Sequence, residues 1–336
     1  MRAHTVILGA GATMAAIPNG DKNGRKSSVM DGMITKLGLD NLLKEVKLET
    51  KSKNIEDIYS ELSCKLEYSE IVNELEESLY QYFDEMELPD DPTIYDLLIL
   101  SLTGKDVIAT FNWDPLLLQA FVRCARITNN LPHILCLHGN VYMGYCQDHD
   151  EYGIKNAICP ICKKQFPPVK LLYPVKEKNY KNDEYISKSW EAVDAFLNES
   201  YMVTIFGYSA PSSDVEAVEL LKRAWGDKEN RQLEEVSVID IIDESEMIRK
   251  WDSFIYSHHY RYTNDFYNSY LGMFPRRSCE TVFSTFSLNV TSDNTRGFRK
   301  DMTWDEVKEK LAPLLIEEMN TEEGHNLPLS YAKRSC

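Results

Sequence analysis

The stretch Val6-Ile-Leu-Gly-Ala-Gly-Ala-Thr13 decides the fold of this 336-residue chain. Its apolar run predicts a buried parallel strand, and the Gly-Ala-Gly that follows predicts a sharp turn into a helix. A helix that begins this way presents free backbone amides at its N-terminus, where a phosphate group binds well. Close packing of the helix on the sheet would also require glycine, so the motif alone leaves both interpretations open.

A second apolar run, Val107-Ile-Ala-Thr-Phe-Asn-Trp-Asp114, ends in polar side chains. Ligands of an open α/β sheet bind at the carboxyl ends of its strands. Asn112 is suited to hold a water or a ribose hydroxyl. Asp114 is suited to accept a hydrogen bond from a carboxamide or to stabilise a developing cation. Because Asp114 also precedes Pro115 and a helix, it is equally suited to cap that helix.

The segment Leu135-Cys-Leu-His-Gly-Asn140 ends a further strand in the same way. His138 is therefore a candidate general base or ribose contact, because an imidazole titrates near neutral pH. A lone histidine is more often structural, but this one lies in register with two similar strand ends. Together the three segments predict one nucleotide pocket.

The order of elements predicts an α/β fold with a doubly wound, mostly parallel, Rossmann-like sheet. Further strands are predicted at 106–110, 133–137, 202–206 and 236–242, and helices at 190–200, 215–225, 245–256 and 304–319. Apolar residues recur at three- and four-residue steps between residues 30 and 100, which predicts a helical insertion after the first strand. We expect a catalytic domain over 1–245 and, over 246–336, a helical and irregular extension that serves as an assembly surface. The 258–300 segment gives no assignment, and the tail from Thr321 is predicted to fray.

A small cysteine-rich module is predicted at 141–170. Cys146 and His149 form one pair with two intervening residues, and Cys159 and Cys162 form another. Three thiolates and one imidazole make a plausible tetrahedral zinc set, with no open position for chemistry. The alternative is a ribbon of reduced cysteines that has lost its metal.

Bulk composition narrows the class of protein. Hydrophobic residues make up 43% of the chain and charged residues 27%, which is typical of globular domains. The net charge of -16 argues against direct nucleic-acid binding. No apolar run reaches the roughly 20 residues of a membrane helix, and no signal-peptide pattern is present, so we expect a cytoplasmic protein whose eight cysteines are reduced.

The order of these motifs resembles the sirtuin catalytic domain across residues 4–245. Gly9–Thr13 and Ala16–Asn19 look like the phosphate loop of that family and the segment after it. The resemblance implies catalytic roles for Asn112, His138 and Asp114. It also implies a larger set of residues that contact NAD+: Gly9, Ala10, Gly11, Thr13, Pro18, Asn19, Gly207, Tyr208, Ser209 and Asp243. Within this set, Gly207-Tyr-Ser209 stands where the family has Gly-Thr-Ser.

Two departures concern the acyl-peptide chemistry of the family. Asn19-Gly20-Asp21 stands where deacylating sirtuins carry Asp-Phe-Arg, and Leu171–Tyr180 lacks the signal of their peptide-binding strand. Three features resemble instead the sirtuin-like domains of prokaryotic anti-phage systems, which cleave NAD+ to nicotinamide and ADP-ribose: the Tyr-Pro…Lys-Asn-Tyr run of the second segment, the tryptophan helix at 190–200 and Gly207-Tyr-Ser-Ala-Pro-Ser-Ser-Asp214. That resemblance implies an NAD-depleting effector of abortive infection. It also implies partners: a homo-oligomer, a HerA-type ATPase or another defence-system protein.

Three other functions remain open at this point. An NAD-dependent protein deacylase would release nicotinamide only with an acylated peptide. A non-catalytic NAD or ADP-ribose sensor would bind without turnover and gate a partner complex. A Rossmann-type oxidoreductase fits poorly, since the acidic ribose-binding residue expected about 20 residues after the glycine turn is displaced by the helical insertion.

Overall fold

The computed structural model describes most of the chain. The described residues are 3–27, 32–40, 42–173, 180, 183–211, 214–227, 231, 234–252, 254, 260–288, 295 and 297–320. The predicted frayed tail from Thr321 lies outside them. None of the helices in these ranges is long and apolar enough to cross a membrane.

Strands and helices alternate along most of the chain. The strands are β1 Ala3–Leu8, β2 Val107–Thr110, β3 His133–Cys136, β4 Met143–Cys146, β5 Glu151–Ile154, β6 Ser200–Phe206, β7 Glu235–Ile239 and β8 Tyr260–Thr263. The α-helices are α1 Ala10–Ala16, α2 Met33–Lys36, α3 Ile55–Ser63, α4 Ser69–Asp84, α5 Ile94–Leu100, α6 Leu116–Cys124, α7 Glu184–Glu199, α8 Val215–Trp225, α9 Glu244–Trp251, α10 Tyr270–Met273, α11 Ser278–Leu288 and α12 Trp304–Asn320. Short 3-10 helices cover Leu42–Glu45 and Leu66–Tyr68.

Six strands form one sheet in the order β3-β2-β1-β6-β7-β8, and every neighbouring pair is parallel. The chain builds outward from β1 in one direction and then returns to the other side of β1 at β6. This is the strand order of dinucleotide-binding folds, and the switch point lies between β1 and β6. The prediction of a doubly wound parallel sheet is confirmed.

Helices cover both faces of the sheet, which explains why its central strands are buried on both sides and mostly apolar. Every residue of β1 and of β6 is buried. Val6 and Leu8 belong to the larger hydrophobic core, whereas Ile7 packs with Val203 and Ile205 in the core on the opposite face. Side chains that alternate between two buried faces require a continuous apolar run.

The helical insertion joins β1 to β2 through α2, α3, α4 and α5. Ile55 and Leu62 of α3 pack in the larger core with Leu75 and Phe83 of α4. Their spacing places them on one face of each helix, and acidic residues occupy the outer faces. The insertion thus packs on the sheet and shares its core, as the sequence predicts.

Residues after 245 also contribute to the sheet. β8 adds the outermost strand beside β7, and α11 and α12 follow it. Arg276, just before α11, is fully buried and donates to Glu318 on α12, at 2.6 Å from Nε and 2.5 Å from Nη2. The role of 246–336 as an assembly surface remains a prediction.

Candidate functional site

Four sequence motifs meet at one edge of the sheet. Gly9 follows β1, Asn112 follows β2, His138 follows β3 and Gly207 follows β6. These strands are neighbours in the sheet and run in the same direction, so their carboxyl ends lie side by side. The edge includes the switch point, where open α/β sheets bind their ligands.

The glycine turn after β1 packs directly on the turn after β6. Gly9 N donates to the Phe206 carbonyl at 3.1 Å, and Gly11 N donates to the Gly207 carbonyl at 2.9 Å. A Cβ on Gly9 would lie 2.6 Å from the Gly207 carbonyl oxygen, and one on Gly11 would lie 2.8 Å from the Gly207 Cα. Close packing therefore accounts for these glycines, as the alternative interpretation held.

The same contacts limit the turn as a phosphate site. The amides of Gly9, Gly11 and Ala12 are all bonded to backbone carbonyls. Of the four consecutive amides of residues 9–12, only that of Ala10 has no backbone acceptor. An anion at this turn would therefore meet one free amide rather than a cradle of several.

Three hydrogen bonds orient the side chain of Asn112 at this edge. Its Nδ2 donates to the Gly9 carbonyl at 2.9 Å, to Thr13 Oγ1 at 3.0 Å and to the Tyr95 hydroxyl oxygen at 3.2 Å. The side chain is half-buried. Because its nitrogen is held against three acceptors, its carbonyl oxygen Oδ1 is directed away from them and remains available to a ligand.

Asp114 lies behind Asn112 and is buried, with 4% of its surface exposed. Thr13 donates its hydroxyl proton to Asp114 Oδ2 at 2.7 Å, and Leu116 N donates to Oδ1 at 3.1 Å. Burial raises the pKa of this carboxyl to about 6 despite these hydrogen bonds. Both of its oxygens serve the protein: Oδ2 anchors Thr13, and Oδ1 holds the amide of Leu116, the first residue of α6, whose N-cap is Pro115.

His138 lies among aromatic rings at the end of β3. The Phe111 ring meets it edge-on at 4.8 Å between centroids, and the Tyr180 ring stacks on it at 6.0 Å. The following Gly139 has φ +75°, and a Cβ there would lie 2.2 Å from the Lys170 carbonyl oxygen. Aromatic packing on one side and this tight turn on the other fix the position of the imidazole.

Tyr208, in the Gly-Tyr-Ser segment, extends this aromatic cluster. Its ring stacks on Phe111 at 4.2 Å with an angle of 6° between the planes. Its hydroxyl donates to Asp214 Oδ2 at 3.0 Å. Tyr208 is buried. Because its ring stacks on Phe111, which also contacts His138, Tyr208 connects the end of β6 to the surroundings of His138.

Four other predicted contacts lie at the surface. Pro18, Asn19, Ser209 and Asp243 are all exposed. Asp243 caps α9, where Oδ1 accepts from Ser245 N at 2.9 Å. The structure does not bring these side chains into contact with the Asn112 network.

The four predicted metal ligands come together at one end of the β4–β5 hairpin. Their ligand atoms all lie within 4.8 Å of one another. Cys146 Sγ is 3.4 Å from His149 Nδ1 and 3.8 Å from Cys162 Sγ, and Cys159 Sγ is 4.0 Å from His149 Nδ1. Tetrahedral zinc with bonds of about 2.3 Å to sulfur and about 2.0 Å to nitrogen requires separations of about 3.5 to 3.8 Å. The donor set therefore fits zinc.

This metal site is separate from the sheet edge. Two turns supply its ligands in pairs, and three thiolates with one imidazole leave no open coordination position. Cys159 also belongs to a small buried cluster with Cys146 and Phe166. Zinc at this position would brace the module and would take no part in a reaction.

Two residues of the site are absent from the sequence-based prediction. Tyr95 of α5 is fully buried, and its hydroxyl lies 2.6 Å from Thr13 Oγ1. Asn140 Nδ2 donates to the Asp114 carbonyl at 2.7 Å. Asn140 follows His-Gly in a segment the sequence already marks, whereas Tyr95 lies in an apolar helix and carries no local signal.

Comparisons with known proteins give structural matches only. No protein-family model matches the sequence, and no curated protein does. A structure of Sir2 bound to an acetylated peptide is 13% identical over 86% of this chain and 93% of its own, with a TM-score of 0.38. A structure of Sir2 with a p53 peptide and NAD+ is 13% identical over 86% and 93%, with a TM-score of 0.35. Both belong to the family that the motifs resemble, but similarity at this level does not establish membership.

Proposed function

We propose that this protein is an NAD+ glycohydrolase, which cleaves NAD+ to nicotinamide and ADP-ribose. The observation that carries the proposal is the oriented amide of Asn112 beside the β1–β6 switch point. A dinucleotide would lie across that point. Its nicotinamide ribose would lie near Asn112 and His138, and its other half would extend past Gly207 toward β7.

The reaction breaks the bond between C1′ of the ribose and the nicotinamide nitrogen. The bonding electrons leave with nicotinamide, a water oxygen bonds to C1′, and the water loses one proton. Asn112 Oδ1 accepts a hydrogen bond from the attacking water or a ribose hydroxyl, and His138 contacts the ribose hydroxyls or receives the proton. Fixed dipoles in a water-poor site stabilise the positive charge that develops on the ribose, which supplies most of the rate gain.

The contacts of Asp114 favour an indirect role. Its oxygens hold Thr13 and Leu116 N rather than facing the sheet edge. We therefore assign Asp114 to positioning Thr13, and through it Asn112, instead of to the nicotinamide carboxamide. The pyrophosphate would meet the Ala10 amide and the backbone around Gly207. Pro18, Asn19, Ser209 and Asp243 stay proposed NAD+ contacts outside the Asn112 network.

The biological setting follows from the sequence resemblance alone. NAD+ depletion by this chain would serve anti-phage defence, within a homo-oligomer or with a HerA-type ATPase or another defence protein. Light scattering of the purified chain, alone and with a candidate ATPase, tests this part. A monomer that binds no such partner would contradict it without touching the chemistry.

The enzymatic proposal is tested by measuring nicotinamide and ADP-ribose after incubation with NAD+. Wild-type protein should release both in equal amounts without peptide, and Asn112→Ala and His138→Ala should each reduce the rate at least about 100-fold, as expected for a residue in acid–base or electrostatic catalysis. Release that depends on an acetyl-lysine peptide would identify a deacylase. NAD+ binding without release, alone and with partner, would identify a sensor.

A further inference from the structure

We propose that Tyr95 is a positioning residue for Asn112, so that the helical insertion completes the reactive site. This inference rests on the proposed function. It assigns no contact between Tyr95 and substrate. The hydroxyl of Tyr95 acts through the side chain of Thr13, which lies within α1, and that of Asn112, which follows β2.

The direction of every hydrogen bond in this network is fixed by two groups that only accept. The Asp114 carboxylate accepts the hydrogen bond that the Thr13 hydroxyl donates. Thr13 Oγ1 can therefore only accept hydrogen bonds from its other neighbours. Tyr95 OH donates to that oxygen at 2.6 Å, which leaves the Tyr95 oxygen as an acceptor for Asn112 Nδ2 at 3.2 Å.

The Gly9 carbonyl completes the arrangement. It only accepts, and it lies 2.9 Å from the terminal atom assigned as Asn112 Nδ2. An amide rotated by 180° would place Oδ1 against three acceptors, Gly9 O, Thr13 Oγ1 and Tyr95 O, so that orientation is excluded. Tyr95 is therefore one of three groups that turn Asn112 Oδ1 toward the ligand.

Tyr95 itself is held by the residues on either side of it. Thr93 and Asp96 form a capping box at the start of α5. Asp96 also accepts from Arg123 of α6, at 2.9 Å from Nε and 2.5 Å from Nη2. α6 begins two residues after Asp114, so this ion pair ties the tyrosine-bearing helix to the strand end that carries Asn112.

Removal of the hydroxyl alone should loosen the amide. Tyr95→Phe keeps the buried ring and deletes one donor and one acceptor. The net value of a single hydrogen bond, about 0.5–1.5 kcal/mol, corresponds to a roughly 2- to 13-fold effect. We expect kcat to fall about tenfold while KM for NAD+ stays within about twofold, because the amide acts on the reacting centre.

The control is Tyr59→Phe. Tyr59 is a second buried tyrosine of the insertion, and its hydroxyl donates to Glu76 on α4. That substitution also removes a hydrogen-bonded phenol from the insertion but leaves the Asn112 network intact. The kcat and KM of Tyr59→Phe should match those of wild type. A fall in kcat that occurs only in Tyr95→Phe would then not result from a general weakening of the insertion.

A second readout is independent of turnover. 15N relaxation of the Asn112 side-chain amide, assigned by its loss in Asn112→Ala, should show faster motion in Tyr95→Phe and no change in Tyr59→Phe. An amide as rigid in Tyr95→Phe as in wild type would overturn the inference whatever the activity, and so would a mobile amide with unchanged kcat. An inactive wild-type protein would overturn the glycohydrolase proposal and the role in catalysis, while the relaxation data would still decide whether Tyr95 orients the amide.

Discussion

Substitution of Gly207 by alanine tests the packing of the two turns at the switch point. Gly207 has φ +59°, and a Cβ there would lie 2.3 Å from Ala12 N and 2.4 Å from the Gly11 carbonyl carbon. Both neighbours are backbone atoms, which cannot rotate away as a side chain would. The turn after β6 and the turn after β1 would have to separate.

Two terms set the magnitude. An alanine in the left-handed region costs about 1–2 kcal/mol. Overpacking against a fixed neighbour adds about 1–3 kcal/mol. The free energy of unfolding should therefore fall by about 2–5 kcal/mol in Gly207→Ala. Separation of the turns would also move Gly9, whose carbonyl holds Asn112, so NAD+ cleavage should fall more than the folded fraction does.

Gly38→Ala is the matched control. Gly38 has φ +69°, but a Cβ there would meet nothing within 4 Å. Alanine at this position therefore has the conformational cost of the left-handed region without a steric clash. The free energy of unfolding of Gly38→Ala should fall by only about 1–2 kcal/mol. Urea denaturation of both variants, followed by tryptophan fluorescence, measures the difference. Equal losses in the two variants would refute the close packing of the turns.

Three further predictions concern features away from the sheet edge. Elemental analysis should find one zinc per wild-type chain and none in Cys159→Ser, whose Tm should also be lower; a wild-type protein without zinc would contradict the site. Burial raises the pKa of Glu235 to about 7, so its contribution to stability is present in acid and lost as pH rises through 7. Between pH 5 and pH 8.5, urea titrations should show the free energy of unfolding falling by up to about 3 kcal/mol less in Glu235→Gln than in wild type, because glutamine does not ionise. An equal fall in the two proteins would contradict this role of Glu235. Glu318→Gln leaves Arg276 buried without a carboxylate and should lower the free energy of unfolding by about 2–4 kcal/mol in the same titration; a loss below about 0.5 kcal/mol would contradict a stabilising Arg276–Glu318 ion pair.

The sheet could be predicted because its strands are buried on both faces. β1 and β6 are buried along their whole length and mostly apolar, so each stands out as a hydrophobic run that ends in turn residues. β8 could not be found in this way. It is a four-residue outer strand, Tyr260–Thr263, with three half-buried residues and no apolar run. Edge strands of this kind are specified by the sheet beside them rather than by their own composition.

The position of the site was predictable for the same reason. Polar residues after Thr110 and after Cys136 had to lie at one edge once the strands were parallel and adjacent. The partners of those residues were not predictable. Tyr95 is 17 residues from Asn112 in sequence and lies in a helix whose pattern indicates only core packing.

Individual roles at strand ends were the least predictable part. An aspartate between a strand and a helix can face a ligand or cap the helix, and both roles need the same residue at the same place. The structure distinguishes them: Asp243 is the N-cap of α9, and Asp114, one residue before the N-cap of α6, holds the Leu116 amide and the Thr13 hydroxyl. Likewise, glycines that accommodate a phosphate and glycines that accommodate another backbone have the same sequence pattern, and the contacts of Gly9 with Gly207 support the second role.

The most direct test of the central claim is nicotinamide release from NAD+, without peptide, by wild-type protein and by Asn112→Ala. Urea denaturation first confirms that the two have comparable stability, so that the comparison concerns the amide alone. We predict steady release of nicotinamide and ADP-ribose in equal amounts by the wild-type protein, and a rate at least about 100-fold lower in the variant. Equal rates in the two proteins would show that the cleavage does not occur at the Asn112 site.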